Sequence, residues 1–103
     1  MALNFKIYKH RNSDSLHLKL IGDFDGSSAA ELINELKRDA KDVPKIIIHT
    51  SSLKKLYSFG PEVFNRNLLE LKHQRARIRF TGEHAEQFTP KKRLHISTMN
   101  KEL

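Results

Sequence analysis

"IIIHTSSLKKLYSFGPEVF", residues 46–64, is the stretch on which the fold turns. It opens on three isoleucines with no polar interruption, the pattern of a strand covered on both faces and therefore central in its sheet. It closes on Pro61, whose fixed φ and missing N–H suit the first turn of a helix. Phe64, Leu68 and Leu71, with Val63, supply the buried stripe of that helix, and Gly60 or Ser58 falls near its cap. Between strand and helix lie four hydroxyl side chains (Thr50, Ser51, Ser52, Ser58), two lysines, Tyr57 and a Gly-Pro pair. This connection reads either as an interaction surface or as a plain polar connector.

Upstream, "NFKIYKH" alternates Phe5 and Ile7 against Lys6 and Tyr8, a strand with one apolar face. "RNSDS", residues 11–15, has turn composition and makes a hairpin into "LHLKLIG", where Leu16, Leu18 and Leu20 face one way and His17 and Lys19 the other. "DFDG" breaks that strand. Ala29, Leu32, Ile33, Leu36 and Ala40 then recur at helical spacing, with Ser28 and Glu31 as a capping-box pair at the helix start. Pro44 ends this segment by forcing an extended residue before it. Downstream, "ARIRFTG" sets Ile78 and Phe80 against Arg77 and Arg79, "EHAEQF" is at most a short helix, and "RLHIST" forms a last strand. The order β-β-α-β-α-β-(α)-β predicts one α/β domain over residues 1–103, a mixed five-stranded sheet built from a hairpin and crossover units. Four of the five strands are apolar on one face only, which places the helices mainly on one face of the sheet. The other face then collects Lys6, Tyr8, His17, Lys19, Arg77, Arg79 and His95.

The chain of 103 residues has no cysteine, which excludes disulfides, thiolate metal sites and a cysteine nucleophile. No apolar run approaches the roughly 18 residues of a membrane span. "MALNFKIYKH" lacks the apolar core of a signal peptide, so a cytoplasmic location is expected. The net charge of +7 is uneven: residues 1–53 carry 8 basic and 7 acidic side chains, residues 54–103 carry 11 and 5. Such a bias suits acidic partners or simply a solubilising surface. Six histidines occur, none at metal-ligand spacing, and neither GxGxxG nor GxxxxGK[ST] is present. His49 and Ser52 have no third residue to orient them as base and nucleophile. Asp23 and Asp25 could form a carboxylate pair or bind a cation, but capping the helix is the better reading. No catalytic activity, metal or cofactor is expected.

Two segments, "LIGDFDGSSAAELINEL" and residues 46–64, resemble the STAS family of sulfate-transporter and anti-sigma-factor-antagonist domains, the first through its G-x-(L/I/F)-D-x-x-x-A signature. "HQRARIRFTG" is similar to the strand and turn that follow in that family, and the resemblance runs over roughly residues 5–98. It implies a STAS-like (SpoIIAA-like) fold and a small non-catalytic module that regulates transcription by binding a kinase-type anti-sigma factor. By position it makes Ser58 the phospho-acceptor, Gly60 the motif glycine and Asp25 the acidic residue of the neighbouring loop. Partner contacts are then expected at Asp25, Tyr57, Ser58, Phe59, Gly60 and Glu62. Tyr57 stands where the motif has Asp, Phe59 where it has Ser or Thr, and His49 where an Asp usually follows the central strand. These departures predict that Ser58 is not stoichiometrically phosphorylated and that the surface works constitutively. Two other functions stay open: an accessory subunit of a membrane transport or lipid-trafficking complex, and nucleic-acid binding by the basic face through Lys6, Lys19, Arg77 and Arg79.

Overall fold

The computed structural model describes residues 4–40, 43–71 and 77–88. Strands β1 (Lys6–Arg11) and β2 (Ser15–Phe24) form an antiparallel hairpin. Its turn closes with the Asn12 N–H donating to the Ser15 carbonyl at 2.8 Å. Helix α1 (Gly26–Asp39) leads to β3 (Lys45–His49), and a short turn leads on to β4 (Leu53–Leu56). Helix α2 (Phe59–Asn67) runs into a 3₁₀ turn at Leu68–Leu71, and β5 (Ile78–Thr81) is followed by another at Ala85–Phe88.

The sheet is mixed and five-stranded, in the order β1-β2-β3-β5, with β4 pairing the end of β2. β2, β3 and β5 are mutually parallel, and both crossovers contain a helix, as parallel neighbours require. Alternation sends Leu16, Leu18 and Leu20 of β2 and Ile46 and Ile48 of β3 to the helix side, all fully buried. They meet Leu32, Ile33 and Leu36 of α1 and Phe64 of α2 in one core, with Leu68 packed at its margin. Each such side chain contributes about 1.5–3 kcal/mol by leaving water. Phe24, Phe64, Phe80 and Phe88 make a chain of edge-on and stacked ring contacts at one end.

Three expectations need correction. β3 is central, but among the described residues it is covered on one face only: Ile47 is half-buried on the other, between His17 and Arg79. The connection before α2 is not structureless, because Leu53–Leu56 pairs with Gly22–Phe24 as a parallel strand. Its "LKKL" has no alternation, so only the partner backbone makes it extended. α1 starts two residues before Ser28, and the capping box gives way to a different cap, described below. The expected last strand, with His95, lies outside the described residues.

Gly22 sits where β2 changes partners, at φ +94°, in the left-handed region that favours glycine. A Cβ there would collide with the Asn4 carbonyl.

Candidate functional site

The two helices begin side by side at the end of β2. Asp25 leaves the strand with extended backbone and serves as the N-cap of α1. Its carboxylate accepts from the Ser28 N–H at 3.0 Å, the Ser27 hydroxyl at 2.8 Å and the Ser28 hydroxyl at 3.1 Å. Burial pushes this carboxyl up, but the three hydrogen bonds outweigh it and hold the pKa at about 2. The capping role read from the sequence is therefore present, with Asp25 rather than Ser28 as the acceptor. Asp25 is buried, so its charge is turned into the corner rather than presented at the surface.

The α2 entrance is built oppositely. Ser58 occupies the cap position in helical conformation, and its hydroxyl makes no capping bond. The turn into the helix is closed by backbone alone, with the Gly60 N–H donating to the Tyr57 carbonyl at 2.8 Å. Tyr57 donates its own N–H to the Phe24 carbonyl at 3.0 Å, which anchors this entrance to the end of β2. Gly60 packs against that same end: a Cβ would stand 2.8 Å from the Phe24 carbonyl oxygen and 3.3 Å from the Asp25 Cα. Only glycine allows the two helix entrances to come this close. The Phe59 ring lies over Gly26, the first residue of α1.

What this corner exposes is aromatic. Tyr57 is 38% and Phe59 51% exposed, and their rings stack at 6.1 Å with 27° between planes. Lys55 Nζ stands 5.7 Å from the Tyr57 ring centre, a cation–π contact that sequence reasoning missed. Glu62, exposed in the first turn, places a negative charge where the helix dipole favours one. Tyr57, Ser58, Phe59 and Glu62 thus form one exposed patch, whereas Gly60 and Asp25, also expected as contacts, are buried beneath it.

The second set of candidates lies on the helix-free face. Cross-strand pairing places Tyr8 opposite Lys19, Lys6 opposite Ile21 and His10 opposite His17. Arg79 joins them from β5, beside Ile47. Arg77 does not point there freely: its guanidinium donates to the Val43 carbonyl at 2.6 Å, tying β5 to the segment before β3. His10 and His49 were not expected on this face. Nδ1 of His17 lies 3.0 Å from Nε2 of His49, with ring planes 8° apart and centres 5.2 Å apart. Those distances mean that the rings meet edge to edge and share one N–H···N bond. The other nitrogen of His49 lies 2.8 Å from the Thr81 hydroxyl, so both its ring nitrogens are engaged and it does not serve Ser52 as a base. Burial, then the neighbouring His17 and Lys19, hold His49 below the ordinary histidine pKa. Strand register, which the sequence does not display, is what aligned these residues.

No protein-family model and no curated protein matches the sequence. Solved structures do. An anti-sigma-factor antagonist, a STAS domain from Rhodobacter sphaeroides, aligns with a TM-score of 0.58 at 12% identity, covering 85% of this chain and 95% of that one. An uncharacterized DUF3478-family protein with a SpoIIAA-like fold from Shewanella loihica PV-4 aligns with a TM-score of 0.55 at 16% identity, over 81% of this chain and 69% of that one. The fold is therefore STAS-like, of the SpoIIAA type, as the sequence motifs implied.

Proposed function

We propose that the domain is a non-catalytic regulatory module that binds a protein partner through the α2 entrance, in the manner of an anti-sigma factor antagonist. The observation that carries this reading is the half-exposed, mutually stacked pair Tyr57 and Phe59 on either side of Ser58. Aromatic rings held rigid at a surface supply much of the binding energy of protein interfaces. Asp25 enters the proposal as the residue that fixes the corner, because its carboxylate is spent on the α1 cap. Ser58 is exposed and its hydroxyl makes no capping bond, so it is accessible to a modifying enzyme. A phosphate there would add nearly two negative charges to the patch without unfolding it. With Tyr57 in the motif's acidic position, we take the surface to work constitutively. No helix among the described residues is long and apolar enough to cross a membrane; a cytoplasmic location is part of this proposal.

Calorimetric titration with the kinase-type anti-sigma factors of its own host tests the reading. Wild-type protein should bind one of them, and Phe59→Ala should weaken that binding by about tenfold or more, the loss expected of a central aromatic contact. Ser58→Asp should weaken it by charge, and Ser58→Ala should leave it almost unchanged. Failure to bind any such factor, or equal binding by Phe59→Ala, overturns the proposal. Intact-mass spectrometry of protein purified from the host should find Ser58 unmodified; a substantial phosphate-shifted fraction mapping there would contradict constitutive action.

A further inference from the structure

The sheet face opposite the helices presents exposed cations and an exposed aromatic ring. Two acidic residues of α1 are engaged on the helix side, where Glu35 and Asp39 pair with Lys9 at 3.1 and 2.8 Å; Glu31 and Glu35 line a groove that reaches Lys6 and Tyr8 at the β1 edge. Lys6, Lys19 and Arg79 on the open face have no ion-pair partner among the described residues. The carboxylate that alternation directs to this side, Asp23, stands at the far end of β2 across from Lys55. The charged groups in the middle of the face, Lys19 and Arg79, are therefore both cationic and call for an anion.

Its rings narrow the choice of anion. Tyr8 is 57% exposed, the most open large apolar side chain of the domain among the described residues, and it stands across the strand pair from Lys19. His10 is exposed beside it, 6.3 Å from His17 between ring centres. A planar ring flanked by cations on a flat sheet matches what single-stranded nucleic acid offers, alternating π-faces and phosphates. A lipid surface would be better served by several protruding apolar side chains, whereas among the described residues of this face only Tyr8 protrudes and Ile21 and Ile47 are half-buried within the sheet. The chain's own residues 89–103 carry four basic side chains against one acidic, so their charge does not complement this face.

From charge and ring placement together, the geometry points to single-stranded RNA bound across the open face, with a base on Tyr8 and phosphates on Lys6, Lys19 and Arg79. This surface is separate from the α2 entrance and stands or falls independently of it.

Fluorescence anisotropy with a labelled single-stranded RNA of mixed sequence, using the full chain, tests the proposal. Binding should weaken with salt with a log–log slope of about −2, for three phosphates released from a single strand. Tyr8→Ala should lose about fivefold or more in affinity, the value of one stacked base, with an unchanged thermal melt. Lys19→Glu should lose more and flatten the salt slope. Vesicles rich in phosphatidylserine and poly-glutamate serve as the competing anions. Absence of RNA binding at low salt overturns the proposal. So does binding to vesicles or poly-glutamate as tight as to RNA, or RNA binding that Tyr8→Ala leaves intact.

Discussion

The two helix entrances lie in contact, yet they solve the same physical problem differently. At α1 the exposed N–H groups find an internal acceptor, and Asp25 is saturated by Ser27 and Ser28. At α2 the cap position carries a hydroxyl that bonds to no helix N–H, and the flanking side chains are stacked aromatics facing water. One entrance is finished within the chain, while the other leaves groups for something outside it. The local rules of capping and burial are met where the corner must be rigid and relaxed where contact is proposed.

The contact between the entrances is the most fragile feature. Gly60→Val drives a side chain into the Phe24 carbonyl and should cost about 3 kcal/mol, since overpacking a close backbone approach forces the elements apart. A chemical-denaturation midpoint close to wild type would mean that the two entrances do not depend on each other. Capping comes next. Asp25→Ala should cost about 1–2 kcal/mol and lower the melting temperature by several degrees, whereas Ser58→Ala should stay within about 0.5 kcal/mol. Equal losses at the two sites would erase the contrast.

Acid sharpens the same comparison. The folded pKa of Asp25, about 2, lies below its ordinary value of 3.8. Its stabilisation is therefore complete above pH 4 and is lost as pH falls through the folded value. Thermal melts between pH 5 and 2 should show this loss in wild type and a weaker dependence in Asp25→Asn. The smallest effect belongs to His49. Because its folded pKa is depressed, protonation favours the unfolded chain, and stability should decline as pH falls below about 6.5. An NMR titration midpoint for His49 below that of an unhindered histidine checks the direction.

Much of this corner was legible in the sequence. The stripe Ala29, Leu32, Ile33 and Leu36 is buried as its spacing requires, and the turn-strand-helix order of β1, β2 and α1 follows from alternation and period. Asp25 was recognisable as a cap because it precedes a helical pattern. Features set by pairing between distant strands were not legible. β4 carries no pattern of its own and is extended only through β2, so "LKKL" read as loop. The isoleucine run was misread because apolarity alone does not report a covering layer: Ile47 is half-buried on a face where the described residues place no helix. Replacing Ile48 by Asp, rather than Ile47, should abolish folding, since Ile48 is the one sealed from water. His17 and His49 are 32 residues apart, and nothing short of strand register could bring their nitrogens to 3.0 Å.

The central claim is that the unfinished entrance, not the finished one, is where a protein partner docks. Amide chemical-shift mapping of the labelled domain against the anti-sigma factor proposed as its partner tests this most directly. Perturbations should concentrate at Tyr57, Ser58, Phe59 and Glu62 with an echo at Gly26, and little change is expected at Lys19 or Tyr8. Perturbations centred on the open sheet face, with Tyr57 to Glu62 unmoved, would contradict it.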